Sequence, residues 1–265
     1  MRLCSIASGS SGNCIYIGTD ATHLLVDTGI SGKRIEQGLK ELELALGDID
    51  GILITHEHAD HISGLGVVAR KKGIPIYATR GTIEQIKETK SLGVIPEELF
   101  QEIREDESFT LKDMTVCPMK ISHDAAQPVA YRFRHDKKSA AVITDLGVYN
   151  DYTIECLKGM DALLLEANHD VRMLETGPYP YYLKQRILGN RGHLSNELSG
   201  RLLSRLVHDN LKAVMLGHLS KENNLAELAY ETVRVEVTMA DNEFKGTDFP
   251  LSVAKRNEIS EIIHI

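Results

Sequence analysis

The sequence of 265 residues has little cysteine, no tryptophan and no long hydrophobic run. Its four cysteines are scattered and none forms a CxxC pair, which argues against a disulfide scaffold and indicates a reduced, cytoplasmic protein. The longest apolar runs, such as Leu163–Leu165, are far shorter than the roughly 20 residues that a membrane span requires. The N-terminal segment turns to serine and glycine too early for a secretory signal, so we expect no such leader.

Basic residues are also in the minority, because 30 Lys and Arg face 38 Asp and Glu and give a formal net charge of −8. This acidity argues weakly against non-specific binding of nucleic acid, which requires local Lys and Arg. Hydrophobic residues make up 42% of the chain and charged residues 26%, a balance that excludes disorder. No Pro-rich linker or composition break divides the chain, and we therefore predict a single domain over residues 1–265.

Short apolar segments alternate with segments of helical periodicity along the chain. We predict a strand at Gly51–Thr55 and helices over Ser31–Leu46 and Asn196–His208. Between residues 108 and 144 the pattern changes to a series of strands. Strand-rich blocks separated by helices predict an α/β (α+β) fold, in which sheets pack face to face with helices outside them.

The strongest pattern is a histidine-rich segment directly after the strand Gly51–Thr55. It places His56, His58, Asp60 and His61 within six residues. Neutral imidazole and carboxylate groups are good ligands for zinc, manganese or iron(II). Residues two apart in an extended loop project to the same side, so His56 and His58 can bind one ion, while Asp60 and His61 can reach a second. A packing or solubility role for all four side chains is the alternative that we disfavour.

Three more metal-capable residues, His123, Asp145 and His218, each follow an apolar strand. Ligands cluster at such strand ends in α/β architectures. Each signal is weak when taken singly, because a lone histidine at a strand end is more often a surface or core residue. Together and in this order they predict that the later strands complete the metal site.

With these residues in place, the chain resembles the metallo-β-lactamase superfamily. The resemblance is carried by Asp27 in Leu-Leu-Val-Asp-Thr-Gly and by the seven metal-capable residues named above. It implies a four-layer αβ/βα sandwich that holds two divalent metal ions (Zn²⁺, Mn²⁺ or Fe²⁺). The implied roles are that one ion is held by His56, His58 and His123, the other by Asp60, His61 and His218, with Asp145 as the bridge and Asp27 as the residue that orients the ligands.

Two further segments, Glu166–His169 and Gly192–Ser195, resemble the nuclease and phosphodiesterase branch typified by ribonuclease Z. The resemblance implies that His193 contacts the scissile phosphate and helps to protonate the leaving oxygen. It also implies that Glu166 keeps the His193 ring in the tautomer that this role requires. With Asp60, these two residues are the catalytic candidates. In the alternative interpretation His193 only caps the following helix and Glu166 is an ordinary carboxylate at a strand end.

A Ser- and Gly-rich loop over residues 7–14 extends the resemblance to the WalJ (YycJ) group, bacterial proteins that are similar to 5′-to-3′ DNA exonucleases. Backbone N–H groups and hydroxyls of such a loop could hold phosphate oxygens, although a turn of this composition needs no function. The resemblance implies a DNA substrate, attack by metal-bound hydroxide, and a functional link to a two-component system of the cell wall. The candidate substrate-binding residues are Ser10, Asn13, Asn168, Arg191 and His169, the last of which is equally compatible with packing.

The connection from Asp170 to Gly192 is locally basic in spite of the net charge. Four basic and two acidic residues give it +2, and it carries Tyr179, Tyr181 and Tyr182, which could stack on bases. The alternative is that the charges are solvated and the tyrosines pack a proline-containing loop. For this segment taken alone we favour the alternative.

The sequence therefore predicts a metal-dependent hydrolase, most simply a phosphodiesterase of the exonuclease type. A small-molecule hydrolase that acts on a cyclic phosphodiester, thiolester or lactone is the alternative, and an open groove rather than a closed apolar pocket would decide between them. A third hypothesis is a non-catalytic partner of signalling or cell-wall machinery in which metals only stabilise the fold.

Overall fold

The computed structural model describes residues 1–265, and its fourteen strands form two sheets of seven. The strands are β1 Arg2–Ala7, β2 Cys14–Gly18, β3 His23–Val26, β4 Gly51–Leu53, β5 Ile76–Thr79, β6 Phe100–Ile103, β7 Phe109–Leu111, β8 Met114–Lys120, β9 Val129–His135, β10 Lys138–Ile143, β11 Ala162–Glu166, β12 Ala213–Gly217, β13 Leu251–Val253 and β14 Ile263–His264. The α-helices are α1 Gly32–Glu41, α2 Ala59–Ile62, α3 Leu65–Lys72, α4 Arg80–Glu88, α5 Asp151–Leu157, α6 Val171–Thr176, α7 Tyr181–Leu188, α8 Asn196–Ser204 and α9 Ala226–Met239. None of these helices has the length and apolarity that crossing a membrane demands.

The chain divides into two compact units. Unit 1 comprises residues 1–120, 125–137 and 255–265, and unit 2 comprises residues 121–124 and 138–254. The single domain predicted over residues 1–265 stays a prediction.

Unit 1 contains a complete sheet in the order β14-β1-β2-β3-β4-β5-β6, and β7, β8 and β9 pair antiparallel beside one another. The pairs from β14 to β3 are antiparallel and those from β3 to β6 are parallel. The core of this unit packs Leu25 and Ile52 of the sheet against Ile35 and Leu39 of α1 and Val68 of α3. Because β3 and β4 are parallel, their carboxyl ends meet at one edge of the sheet, where Asp27 and Thr55 follow them.

Unit 2 contains four parallel strands in the order β13-β12-β11-β10. Strand β11 is buried along its length and reads as a continuous apolar run at Leu163–Leu165, which is typical of a parallel sheet. Helices α8 and α9 pack closely, since a Cβ at Gly200 would lie only 2.5 Å from the Cβ of Glu236. The register pairs Ile143 with Leu165 and Glu166 with Gly217, so three strands end side by side.

The fold class is confirmed, since the chain is mixed α/β with helices beside two sheets. Two predicted helices were too long. Helix α1 ends at Glu41 rather than at Leu46, because Glu43 adopts a left-handed φ of 60° and the Leu44 N–H turns back to the Leu39 carbonyl. Helix α8 ends at Ser204 rather than at His208, where the chain tightens into a turn.

Candidate metal centre

The first cluster consists of His56, His58, Asp60 and His61 in unit 1. Its chain segment leaves β4 at Leu53, runs through an extended loop and enters the short helix α2. The rings of His56 and His61 are fully buried with centroids 4.1 Å apart, and Asp60 is 27% exposed. The predicted grouping of the four side chains is therefore present within one short segment.

Asp27 accepts hydrogen bonds from Thr55 and from His61 of this cluster. Its carboxylate, 2% exposed, accepts the Thr55 N–H at 2.9 Å, the Thr55 hydroxyl at 2.9 Å and the Nδ1–H of His61 at 2.7 Å. A carboxylate only accepts hydrogen bonds, so the Nδ1 of His61 must carry the proton and its Nε2 presents a lone pair. This is the protonation state that a metal ligand requires.

The two remaining histidines of the first cluster are within hydrogen-bonding distance of each other. The Nε2 of His56 lies 3.0 Å from the Nδ1 of His58, and the Thr55 hydroxyl lies 3.0 Å from the Nδ1 of His56. The first cluster thus gathers several imidazole nitrogens in a small volume.

The loop at residues 7–14 packs against the first cluster. The Asn13 amide is fully buried and donates to the Asp60 carbonyl at 3.3 Å, while its oxygen accepts the Gly9 N–H at 2.9 Å. Its Nδ2 also lies 3.2 Å from the Nε2 of His61. Ser10 is exposed at the tip of the turn. The buried position of Asn13 favours a positioning role, and its contact with substrate stays a prediction.

The second cluster consists of His123, Asp145, Glu166, His193 and His218 in unit 2. Asp145, Glu166 and His218 lie at the carboxyl ends of the adjacent parallel strands β10, β11 and β12, which brings them to one edge. Asp145 and His218 turn sharply there with positive φ values of 59° and 56°, a conformation that Asp and His tolerate better than most residues. The sequence had placed all three at strand ends, and parallel pairing explains why they converge.

Glu166 is the hub of the second cluster. It is fully buried, and its Oε1 accepts the Nδ1–H of His193 at 2.8 Å and that of His218 at 2.9 Å. Its Oε2 accepts the backbone N–H groups of Leu146 at 2.7 Å and Leu194 at 3.2 Å. Burial raises the pKa of Glu166, but the charges and hydrogen bonds of His193 and His218 outweigh it and lower that pKa to about 2. A carboxylate therefore fixes both imidazoles with Nδ1 protonated and Nε2 facing away from it.

His123 is held in place by the loop that carries His193. Its Nδ1 donates to the Gly192 carbonyl at 3.1 Å, and its Nε2 lies 3.5 Å from the Oδ1 of Asp145. The ring centroids of His123 and His193 are 5.2 Å apart. The side chain of His193 is only 18% exposed. Its Nδ1 lies 3.5 Å from the Oδ1 of Asp145, so the ring is confined beside that carboxylate.

The remaining predicted substrate contacts of unit 2 differ in access. Asn168 is buried and donates to the His218 carbonyl at 2.9 Å. His169 is 1% exposed, and burial lowers its pKa to about 4, so its ring is neutral near pH 7. Arg191 is exposed and donates from Nε to the His123 carbonyl at 3.1 Å. Of the three, Arg191 alone presents a side chain to solvent, and the substrate contacts of all three stay predictions.

Both clusters are donor sets that divalent ions use. One ligand atom from each of Asp145, Glu166, His193 and His218 lies within 4.8 Å of the others. Imidazole and carboxylate donors with orienting hydrogen bonds behind them fit zinc, manganese or iron(II). The residues present therefore fit divalent metal ions, whatever their identity and number.

Sequence reasoning missed Thr55, which links the Asp27 carboxylate to the rings of the first cluster. Its position directly before His56 was the available signal. It also missed the backbone donors Leu146 and Leu194, for which side-chain patterns carry no information.

Comparisons with known proteins agree with this architecture. A family model described as a beta-lactamase superfamily domain matches residues 22–218. The structure of the metallo-beta-lactamase fold protein YhfI from Bacillus subtilis superposes with a TM-score of 0.72 over 98% of both chains, at 16% identity. At that identity the likeness concerns the fold alone, and it confirms the predicted fold class.

Two relatives are similar over most of the sequence. The exodeoxyribonuclease WalJ of Streptococcus pneumoniae serotype 2 (strain D39 / NCTC 7466) is 43% identical over 244 residues, 92% of this chain and 90% of the relative. The exodeoxyribonuclease YycJ of Bacillus anthracis is 42% identical over 228 residues, 86% of each chain. The resemblance that the sequence motifs indicated is thereby confirmed.

Proposed function

Since the chain belongs to the β-lactamase superfamily, we propose that it is a metal-dependent exodeoxyribonuclease that removes nucleotides from DNA 5′ ends. The observation that carries this proposal is the buried Glu166 carboxylate, which holds His193 and His218 by their Nδ1 atoms. A cluster so arranged is suited to binding a cation and a phosphate together. The named relatives supply the substrate class.

The proposed metal ligands are those that the superfamily resemblance assigns. His56, His58 and His123 would hold one ion, Asp60, His61 and His218 would hold the other, and Asp145 would contribute to both. Such ions, when bound, lower the pKa of a coordinated water and stabilise negative charge on the phosphate. Asp27 supports the assignment for His61, and Glu166 for His218, because each fixes the Nδ1 proton and leaves Nε2 as the donor to metal.

His193 is the proposed proton donor to the leaving oxygen. In its protonated form it keeps Nδ1–H on Glu166 and offers Nε2–H to the substrate. The carboxylate of Glu166, ionised at neutral pH because its pKa is about 2, stabilises the resulting positive charge. Asp60, partly exposed beside His61, is proposed to orient the attacking water.

The proposed substrate contacts divide by access. Ser10 and Arg191 are exposed and available to phosphate oxygens. Asn13, Asn168 and His169 are buried, which favours a positioning role, and their contact with substrate remains part of this proposal. The cytoplasmic location indicated by the unpaired cysteines belongs to the same proposal, as does the functional link to a two-component system.

Relatives named as exodeoxyribonucleases cover most of the chain and favour DNA over the small-molecule alternative. A parallel assay with a lactone, a thiolester and a cyclic phosphodiester tests that alternative directly.

The test is a nuclease assay on DNA labelled at the 5′ or 3′ end, with protein stripped of metal and then supplied with manganese or zinc. We expect short 5′ products, their loss in chelator, and a rate at least about 100-fold lower for His193→Ala. His264→Ala, a substitution of an exposed histidine outside both clusters, is the matched control. Intact DNA under every metal condition, or equal rates for His193→Ala and the control, would falsify the proposal.

A further inference from the structure

The connection between β11 and α8 exposes two aromatic rings to solvent. Tyr181 and Tyr182 open helix α7 and are 77% and 75% exposed. The segment packs on unit 2 through Leu174 and Ile187 instead, which are buried. Only Tyr179 is half-buried, so the packing interpretation of the tyrosines fails for the other two. Large exposed aromatic groups at consecutive positions mark a contact surface.

The other end of α7 is fixed to the second cluster. The His193 N–H donates to the Ile187 carbonyl at 3.0 Å, and Arg191 binds the His123 carbonyl. The Ser122 hydroxyl donates to the Asn190 carbonyl at 2.8 Å. Helix α7 is therefore tied to the loop that carries His193, and its eight residues from Tyr181 to Leu188 span about 10 Å.

The same segment has the charge that a nucleic acid requires. Arg172, Arg186 and Arg191 are exposed, and the segment is +2 in a chain of −8. Arg186 also pairs with Asp124, next to His123, and along the chain it stands between the two tyrosines and His193. Guanidinium groups bind phosphates while aromatic rings stack on bases, and the two together are the usual surface for single strands.

We propose that Tyr181 and Tyr182 form a stacking platform for the single strand of DNA that continues beyond the cleaved nucleotide. The tyrosines lie at one end of α7, about 10 Å from the end that is next to His193. At about 3.4 Å per stacked nucleotide, this distance corresponds to roughly three nucleotides. Arg186 and Arg191 contact the phosphates of the strand between the cleaved nucleotide and the tyrosines. This inference rests on the proposed function, and it adds the substrate class: a DNA end whose strand is unpaired over at least its first few nucleotides.

The experiment compares the double variant Tyr181→Ala/Tyr182→Ala with wild type on single-stranded DNA of 2, 4, 6 and 12 nucleotides and on bis-(4-nitrophenyl) phosphate. We expect the ratio of kcat/KM for the 12-mer to that for the nitrophenyl ester to fall at least tenfold, mainly through KM, because stacking is lost. The ratio for the dinucleotide, which is too short to reach the rings, should change little. Tyr181→Phe/Tyr182→Phe keeps both rings and should restore the wild-type ratio.

Met239→Ala removes another strongly exposed apolar side chain, far along the chain at the end of α9, and serves as the matched control. Wild-type ratios at every length in the Ala double variant would overturn the platform while leaving the nuclease proposal intact. So would a change from dimer to monomer in light scattering without any length dependence, since the rings would then contact a second copy. Wild-type protein that cleaves neither DNA nor the ester would instead refute the proposed function itself.

Discussion

At the scale of single residues, one buried carboxylate organises each cluster. Asp27 fixes His61, and Glu166 fixes both His193 and His218, in every case through the Nδ1–H. The two carboxylates act on different parts of the chain by the same chemistry, since each sets a tautomer and an orientation before any ligand arrives. Their replacement should therefore have measurable effects on metal affinity and on stability.

Asp27→Asn should weaken metal binding by about 10- to 100-fold, the usual effect of losing a group that orients a ligand histidine. The backbone should tolerate the change, because Asp27 has a φ of 61° and asparagine adopts this left-handed conformation readily. Titration calorimetry with zinc or manganese measures the affinity. Asp113→Asn, which removes a carboxylate bound to Thr19 and Thr22 elsewhere in unit 1, is the control and should leave the affinity unchanged.

The lowered pKa of Glu166 predicts that the stability of the metal-free protein depends on pH. Its folded-state pKa is lowered from 4.5 to about 2, so the stability that it contributes is present above pH 4.5 and is lost as the pH falls towards 2. A shift of this size corresponds to roughly 3 kcal/mol. The difference in unfolding free energy between wild type and Glu166→Gln should shrink by that order between pH 6 and pH 2. Urea denaturation in chelator measures it, with Glu98→Gln as an exposed control, and a constant difference would contradict the assignment.

The metal-capable residues could be named from the sequence because histidine and aspartate in this order after apolar strands carry strong information. The contribution of Thr55 and the buried positions of Asn13 and Asn168 could not be predicted from the sequence. A buried amide and an exposed amide look alike in sequence, and only the fold shows that Asn13 binds the Asp60 carbonyl and Asn168 the His218 carbonyl.

At the scale of elements, the start of α8 separates the residue that caps the helix, Ser195, from the proposed catalytic residue, His193. The Ser195 hydroxyl accepts the Leu198 N–H at 3.2 Å and caps the helix, while His193 bonds to Glu166 instead. Ser195→Ala should lower the unfolding free energy by about 1 kcal/mol, the usual value of a cap. His193→Ala should lower the cleavage rate far more than it lowers stability. Thermal denaturation and the DNA assay on both variants check this contrast, which the capping interpretation of His193 does not allow.

Sequence periodicity found the strands and helices with a clear apolar period but not α6, α7 and α9. Helix α9 contains several Val and Thr residues, which have low helix propensity, and it forms because Ala229, Val233 and Val237 are buried on one face. Helices α6 and α7 are separated by a segment with two prolines, which reads as a loop from sequence. Tertiary packing rather than local preference decides all three.

At the scale of the whole molecule, the formal net charge is −8 and all four cysteines are free. Part of the acidity lies in Asp27, Asp145 and Glu166, which are buried among histidines rather than spread over the surface. Net charge is therefore a poor guide to partners, because the segment from Asp170 to Gly192 is locally +2 in spite of it, which is the charge that the proposed contact with DNA requires.

Metal ions should stabilise the whole fold, because they bind the native clusters and not the unfolded chain. At a hundredfold excess over the dissociation constant, one ion adds about 2.7 kcal/mol, which corresponds to a rise in Tm of roughly 5–10 °C for a chain of this size. Scanning calorimetry with and without manganese or zinc measures the rise. His58→Ala should show a much smaller rise, and His264→Ala the full one. A Tm that metal does not change would mean that the clusters bind no ion tightly, whereas a rise without DNA cleavage would favour a structural role for the metals.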